Sequence, residues 1–403
     1  MSKKNTNFFK AKKIWSEIKD ELLGCYFKPY AMKILKTYKP LVYVDCFAGK
    51  GKFDDGKNGS PLIALEILDD CKEKTKMESI EIKTYFIDLN HADDLKRNLS
   101  SHSVTEIISG KYEDNIDNLL KDKQGCNVFL YIDPYGINAL QCAMFEKFAN
   151  SKFNTIELLI NMNSFGFVRE ACHALGIEYT DVDIDLFDDL VEYDPTKLTA
   201  SEKAKKQLTD IAGGDYWIKI IEDYKAKKYD GYQAEILFSE QYCCRLMQSY
   251  KYVLNMPLRL KQGQRPKYRM IHATNHEDGC VLMAENINKR WEALQEIQTD
   301  GQLSFFTQDA ENQIVSMDEI ETKVKEHIST YKNNTSINII LAEFFSKFGA
   351  TICMPADVRE ILSKLEKSNI INVDRTPPAT DKGRPSTFFA QTSKHKVQIR
   401  SSI

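Results

Sequence analysis

The sequence predicts an α/β protein with a doubly wound, mostly parallel sheet, followed by a small α+β domain. Short β-rich apolar runs alternate with amphipathic helical segments between residues 41 and 160, which is typical of connected parallel strands. Acids and glycines directly follow several of these runs, as at the carboxyl edge of such a sheet. After residue 316 the pattern changes to helical segments and short strands, so the 403 residues are expected to hold more than one domain.

The composition is that of a folded protein without membrane spans. Hydrophobic residues make up 42% and charged residues 28%, far from the pattern of disordered chains. No run approaches the roughly 18 apolar residues of a membrane span, and the basic first residues lack the apolar segment of a secretion signal. We therefore expect a cytoplasmic protein. Its ten cysteines have no metal-ligand spacing, so reduced thiols and no metal site are expected.

The first 40 residues form a predicted helical segment, and the sheet domain is predicted over residues 41–299. Its parallel strands are expected at 41–46, 82–87, 104–108, 128–132 and 155–160. An acid-rich, irregular insertion is expected at about 176–214. The domain is expected to end with a helix at 233–251 and an antiparallel pair of strands, which completes the sheet edge, at 252–260 and 268–273.

Residues 300–316 are polar and weakly patterned, and they are predicted to link the sheet domain to a final domain at 317–403. The elements expected there are helices at 337–348 and 356–367, then strands at 370–373 and 387–390. This order predicts a winged-helix-like domain. Lys382 and Arg384 fall on the wing, where they suit phosphate contact, but the mixed charges of the second helix fit protein docking equally well.

Two glycines follow the first predicted strand in the stretch Asp45-Cys46-Phe47-Ala48-Gly49-Lys50-Gly51. Glycines let the backbone approach a ligand at the carboxyl edge of parallel strands, where Rossmann-like sheets bind cofactors. Asp88 ends the next strand, where an acid accepts hydrogen bonds from ribose hydroxyls. The alternatives are a purely structural turn at the glycines and a helix-capping role for Asp88. Together the two features favour a nucleoside cofactor.

The stretch Asp133-Pro134-Tyr135-Gly136 follows the apolar strand predicted at 128–132. In enzymes that methylate amines of bases, an acid or amide in this place accepts a hydrogen bond from the target amine. An aromatic ring stacks on the base, and proline stiffens the turn. Asp133 and Tyr135 match those two roles. A structural Asp-Pro turn with its tyrosine in the core is the alternative interpretation.

These motifs together resemble the three-Cys-motif partner (TcmP) family. The similarity covers about residues 10–295 and includes, beyond the stretches above, Gly59-Ser60-Pro61-Leu62, Ala273-Thr274-Asn275-His276, Gly279 and Met283. The resemblance implies a class I, S-adenosylmethionine-dependent methyltransferase fold, in a bacterial protein often encoded beside a radical-SAM-like protein with three cysteines. Asp133 to Gly136 is also similar to the signature of tRNA guanine dimethyltransferases, and it departs from the form typical of DNA adenine methyltransferases.

The resulting hypothesis is an S-adenosylmethionine-dependent methyltransferase that acts on an exocyclic amine of nucleic acid. Its predicted catalytic residues are Asp133, Pro134, Tyr135 and Gly136. Its predicted cofactor-binding residues are Asp45, Phe47, Gly49, Gly51, Asp88 and Asp114. A basic stripe fits either phosphate contact or a charged edge hairpin, at Arg259, Lys261, Arg265, Lys267 and Arg269. The alternative function is a catalytically silent partner subunit that works with a three-Cys radical-SAM-like protein.

Overall fold

A computed structural model describes residues 9–76, 79–179, 202–258, 268–298, 315–392 and 394–402. The chain divides into two compact units, Met1–Asn275 and His276–Ile403. Within the described ranges, no helix is both long and apolar enough to span a membrane.

The first unit alternates strands with helices along most of its length. Its strands are β1 Leu41–Asp45, β2 Ile82–Asp88, β3 Glu106–Ser109, β4 Asn127–Ile132, β5 Thr155–Met162, β6 Tyr252–Leu258 and β7 Tyr268–Thr274. Its helices are α1 Ile14–Ile34, α2 Ser60–Thr75, α3 Ala92–Asn98, α4 Tyr112–Leu120, α5 Cys142–Ala149, α6 Ser164–Ala174, α7 Glu202–Ala212, α8 Tyr216–Lys225 and α9 Gly231–Leu246.

The seven strands form one sheet in the order β3-β2-β1-β4-β5-β7-β6. The pairs among β1 to β5 are parallel, whereas β7 runs antiparallel to both β5 and β6. The predicted mixed α/β fold with a mostly parallel sheet is therefore confirmed, as is the antiparallel pair at its edge. Residues 259–267 of the predicted hairpin lie outside the described residues.

Part of the predicted irregular insertion is helical. Helix α7 falls within 176–214, and its buried Ala204, Leu208 and Ile211 recur at helical spacing and join the hydrophobic core. Residues 180–201, which carry most of the acids of the predicted insertion, lie outside the described residues.

Aromatic packing fixes α1 against one face of the sheet. The Phe27 ring lies 4.8 Å from that of Tyr43 on β1 and 5.0 Å from that of Phe129 on β4. Tyr30 lies 5.2 Å from Phe129, and all four rings are buried. Each buried ring contributes a few kcal/mol of burial at about 25 cal/mol per Å². The first turns of α1 consequently lie at the carboxyl edge of the sheet, where the strand ends present polar residues.

The second unit is an α+β structure, as predicted. It contains α10 Glu277–Gln298, α11 Met317–Ile328, β8 Thr335–Ser336, α12 Ile337–Phe348, α13 Pro355–Lys367, β9 Ile371–Thr376 and β10 Lys396–Ser401. Its three strands form an antiparallel sheet in the order β8-β10-β9. Helix α10 groups with this unit, whereas the predicted division assigned residues up to 299 to the sheet domain. The winged-helix arrangement and the linker at 300–316 stay predictions.

One predicted strand of this unit is wrong. Residues 387–390 are not in a strand, and β9 pairs instead with β10, whose Val397 and Ile399 alternate inward. The Arg375 guanidinium on β9 donates to the carbonyl oxygen of Phe388 and lies 4.8 Å from the Phe389 ring. The apolar residues at 387–390 are thus held by side-chain contacts rather than by a strand ladder, which their sequence alone does not distinguish.

Candidate functional site

A cavity opens at the carboxyl edge of the sheet, beside the ends of β1, β4 and β5. Its empty space amounts to about 840 Å³, which includes open solvent at the mouth. Its walls come from α1, the loop after β1, the loop after β4, the end of β5 and the start of β7. The lining residues are Phe9, Ser16, Lys19, Asp20, Phe47, Ala48, Gly49, Gly51, Lys52, Phe53, Gly59, Ser60, Asp133, Pro134, Tyr135, Asn161 and Tyr268.

Asp133 is the most heavily bonded acid on the cavity wall. Lys19 on α1 donates from Nζ to both of its oxygens, over 2.6 and 2.9 Å. Asn161 near the end of β5 donates from Nδ2 to Asp133 Oδ1 over 2.6 Å. The Oδ1 of Asn161 is buried, and no donor among the described residues bonds to it. The Asp133 carboxylate is therefore held in place from two sides, while an unsatisfied acceptor lies beside it.

Two further carboxyl groups lie close to this cluster. Burial raises the pKa of Asp20 to about 6, although the Lys12 ammonium, 2.6 Å away, acts in the opposite direction. Burial also raises the pKa of Asp45 to about 7, against hydrogen bonds donated by the Ser60 hydroxyl over 2.7 Å and the Phe47 backbone N–H over 3.2 Å. Neighbouring cations are too few to hold both groups ionised at acidic pH.

The loop after β1 needs its glycines. Gly49 has a φ of 58° and Gly51 a φ of 76°, in the left-handed region that other residues seldom adopt. A Cβ added at Gly49 would lie 3.0 Å from the Phe9 ring. The Gly59 backbone N–H donates to the carbonyl oxygen of Gly51 over 2.9 Å, which closes the loop. At these two positions the loop brings backbone without a side chain to the cavity wall.

Asp88 supports this loop from behind. Its Oδ2 accepts from the Gly49 backbone N–H over 2.9 Å, and its Oδ1 accepts from the backbone N–H groups of Asn90 and His91 over 2.8 and 2.7 Å. Asp88 is only 9% exposed and does not line the cavity. Its carboxylate fixes the glycine loop and the turn that precedes α3, but it accepts no hydrogen bond from a backbone N–H within that helix.

Six of the ten predicted site residues line the cavity together: Phe47, Gly49, Gly51, Asp133, Pro134 and Tyr135. Asp45 and Asp88 lie one layer behind the wall, under Ser60 and Gly49. Gly136 is exposed outside the lining, and Asp114 is exposed on the first turn of α4. Their assigned roles stay predictions.

Four lining residues that bear on the chemistry were not predicted: Lys19, Asp20, Asn161 and Tyr268. Asn161 follows the apolar strand predicted at 155–160, so the rule that selected Asp45, Asp88 and Asp133 applies to it as well. No comparable signal marks Lys19 and Asp20, because the path of α1 over the sheet edge is a tertiary feature.

One member of the predicted basic stripe is buried in the core. Arg269 is 4% exposed, and its guanidinium donates to both oxygens of the buried Glu235 carboxylate, over 2.6 and 2.7 Å. Such a bidentate pair is a structural contact within the core. The other four predicted members, which lie outside the described residues, are Arg259, Lys261, Arg265 and Lys267.

Comparisons with known proteins leave the family open. No protein-family model matches the sequence, and no curated protein matches it. The crystal structure of the plantazolicin methyltransferase BamL, in complex with a triazolic desmethylPZN analog and SAH, is similar at 12% identity and a TM-score of 0.30. The match covers 65% of this chain and 86% of that chain. Because this TM-score is low, the similarity supports no argument about this chain.

Proposed function

We propose that this protein is an S-adenosylmethionine-dependent methyltransferase that acts on an exocyclic amine of nucleic acid. The observation that carries the proposal is the cavity in which the glycine loop after β1 meets Asp133, Pro134 and Tyr135. The mostly parallel sheet, in which β7 alone is reversed, supports it because its parallel strands β1, β4 and β5 end at this cavity. Cofactors of such sheets bind at the carboxyl ends of the strands.

The residues around the cavity fit this cofactor. S-adenosylmethionine carries a sulfonium and an ammonium, and two carboxyl groups, those of Asp20 and Asp133, line the cavity. Asp45 lies directly behind Ser60. The raised pKa values of Asp20 and Asp45 fit a site that gains a positive charge on binding, because a cation stabilises their ionised forms. The glycine loop lets a ligand approach the backbone.

Each predicted cofactor residue has a distinct part in this proposal. When bound, the cofactor supplies an activated methyl group on its sulfonium sulfur. Gly49 and Gly51 shape the loop that faces the methionine part, and Phe47 adds an apolar surface to the wall. Asp88 holds the Gly49 backbone from behind the wall, and its assignment to the ribose hydroxyls rests on the sequence pattern. Asp114 is assigned to the adenine from the sequence pattern alone.

The loop after β4 supplies the proposed target site. Asp133 accepts a hydrogen bond from an N–H of the target amine. This bond orients the nitrogen lone pair toward the methyl donor. Tyr135 lines the cavity and is 48% exposed, and in this proposal a base stacks on its ring. Pro134 limits the freedom of the turn, and no atom lies within 4 Å of a Cβ built at Gly136. Catalysis in this proposal rests on positioning.

Exposed basic residues of the second unit favour a nucleic acid substrate. Lys382 and Arg384 lie in the exposed turn between β9 and β10, the position of the wing in the proposed winged-helix-like domain. Side chains in such a turn contact phosphate without reading base sequence. Their charge is local, because the whole chain has a net charge of -3.

One observation favours the alternative of a catalytically silent partner subunit. The Lys19 ammonium already forms an ion pair with the Asp133 carboxylate, so the predicted acceptor of the target amine has a partner within the chain. In that alternative the ion pair is purely structural, and the resemblance to the TcmP family implies a three-Cys radical-SAM-like partner. That family assignment stays a prediction.

Methyl transfer distinguishes the two functions. Cofactor with a radioactive methyl group is incubated with bulk RNA or DNA and with wild-type protein, Asp133→Ala or Asp122→Ala. Asp122 is an exposed acid outside the cavity lining and serves as the matched control. The proposal predicts label in nucleic acid with wild-type protein and Asp122→Ala, and a loss of about 100-fold or more with Asp133→Ala, which removes the acceptor. No transfer to either nucleic acid by the wild-type protein favours the silent partner.

A further inference from the structure

The cavity contains a cation of its own. Lys19 Nζ lies 2.6 and 2.9 Å from the two oxygens of Asp133 and 5.6 Å from the centre of the Tyr268 ring. Lys19 is only 6% exposed, so its ammonium has exchanged most of its hydration for these contacts. A carboxylate and an aromatic face are the two groups that proteins use to hold an ammonium.

Asn161 adds a second acceptor to this enclosure. Because its Nδ2 donates to Asp133 Oδ1, the amide orientation is fixed and its Oδ1 remains available to accept. Asn161 is 2% exposed, and no donor among the described residues bonds to that oxygen. A buried acceptor without a donor is costly, and an N–H from a ligand removes that cost. Lys19 bonds to Asp133 but leaves this second acceptor unsatisfied.

We propose that Asp133, Asn161 and Tyr268 form an amine-binding subsite, which the Lys19 side chain fills when no substrate is bound. A substrate amine enters by displacing the Lys19 ammonium and donates N–H groups to both Asp133 and Asn161. The subsite therefore selects groups with several N–H donors and rejects cations that have none. Lys19 acts as a built-in competitor of the substrate. The inference rests on the proposed function in treating Asp133 as the acceptor of the target amine.

Truncation of the Lys19 side chain after Cβ removes three carbons and the ammonium, which is the size of n-propylammonium. The test is calorimetric titration of n-propylammonium chloride into Lys19→Ala, wild-type protein and Lys19→Ala/Asp133→Asn. Tetramethylammonium, which carries the charge without an N–H, is the matched control ligand. We expect a Kd on the order of 1 mM for Lys19→Ala and binding at least about tenfold weaker to the other two proteins. Tetramethylammonium should bind none of them.

Two results would overturn the inference: equal affinity of n-propylammonium for wild-type protein and Lys19→Ala, or equal binding of tetramethylammonium to Lys19→Ala. If Lys19→Ala does not fold, the test is done by nuclear magnetic resonance on wild-type protein with isotope-labelled lysine. The Lys19 ammonium signal, assigned by its loss in Lys19→Arg, should exchange slowly with water and lose that protection in excess n-propylammonium. Unchanged protection contradicts displacement.

Titration of the cofactor into Lys19→Ala separates this inference from the proposed function. Binding of S-adenosylmethionine without binding of n-propylammonium removes the amine subsite and leaves the cofactor site. Binding of n-propylammonium without binding of S-adenosylmethionine supports the subsite and removes the proposed cofactor. When the wild-type protein carries the test, the loss of Lys19 protection in excess n-propylammonium replaces the amine titration, and S-adenosylmethionine is titrated into the same protein.

Discussion

The Lys19 ammonium on α1 lies 2.6 Å from the Asp133 carboxylate after β4, with side-chain exposures of 8% and 23%. The contact joins the first helix of the chain to the loop that carries the proposed catalytic residues. Helix α1 is therefore part of the cavity wall, in addition to its packing on the sheet through Phe27 and Tyr30. Both the electrostatics and the accessibility of the site depend on this helix.

The ion pair should be energetically coupled. Lys19→Met removes the cation from the Asp133 carboxylate, and Asp133→Asn leaves the enclosed Lys19 ammonium without that opposite charge, so each should lower the free energy of unfolding by about 2–3 kcal/mol. The double variant should lose less than the sum by about 1–2 kcal/mol. Urea unfolding of the four proteins measures this coupling. The same cycle on the surface pair Lys219–Asp223 should give a clearly smaller coupling, and similar couplings for the two pairs would contradict the enclosed geometry.

Alanine at Gly49 should close the loop to a ligand. The substitution forces a left-handed φ of 58° on a residue with a Cβ and places that Cβ 3.0 Å from the Phe9 ring. We expect a loss of about 1–2 kcal/mol in stability and at least about tenfold in S-adenosylmethionine affinity. Gly56→Ala is the matched control, because Gly56 also has a positive φ, of 88°, but open space around its Cβ position. Equal cofactor affinities of the two variants would disprove a role for the Gly49 contact.

Asp45 should make the protein less stable as the pH rises. Its pKa is about 7 in the folded chain, raised mainly by burial and further by Asp133 and Asp20, against an ordinary value of 3.8. Between these values the folded state binds the proton and the unfolded state does not. The stabilising contribution is therefore complete below about pH 4 and is lost as the pH rises to about 7, at roughly 1 kcal/mol per pH unit.

Asp45→Asn keeps the shape and the hydrogen bond accepted from the Phe47 N–H, and its amide N–H donates to the Ser60 hydroxyl oxygen in place of the bond that Asp45 accepts, while this titration is removed. Urea unfolding at several pH values between about 5 and 8 should show a smaller decline for the variant than for wild-type protein. Parallel curves for the two proteins would mean that Asp45 titrates near its ordinary pKa.

Binding of S-adenosylmethionine should release protons at mildly acidic pH. A bound sulfonium stabilises the ionised forms of Asp20 and Asp45, whose pKa values are about 6 and 7. Affinity should therefore rise between about pH 5.5 and 7.5. Calorimetry in buffers with different ionisation enthalpies counts the protons released. S-adenosylhomocysteine (SAH), whose sulfur is uncharged, should release fewer protons on binding. Equal proton release by the two ligands would contradict the role of the sulfonium.

Much of the first unit follows from apolar runs, because parallel strands buried on both faces, such as β1 and β4, read as continuous hydrophobic stretches. Helix α7 was missed because acids dominate the composition of the surrounding segment. Strand β10 was missed because its alternating Lys396–Ser401 is less apolar than residues 387–390. A choice between two short candidate strands depends on tertiary pairing, which local pattern does not encode.

The site was predictable wherever one rule applied: a polar residue or a glycine at the end of a parallel strand faces the cofactor edge. That rule selects Asp45, Asp88 and Asp133, and it also applies to Asn161. It does not say which carboxylates line the cavity and which support the wall, because that depends on loop hydrogen bonds such as Gly49 to Asp88. The rule does not select Lys19, since only tertiary packing brings α1 to the strand ends.

Calorimetric titration of S-adenosylmethionine into the purified protein, with Asp88→Ala alongside, tests the central claim most directly. The account predicts one site with a Kd of about 1–10 µM, weakened at least about tenfold in Asp88→Ala, because that variant loses both the ribose acceptor and the bond that fixes Gly49. Absence of binding to the wild-type protein at about 1 mM cofactor would contradict the methyltransferase proposal and favour the silent partner subunit.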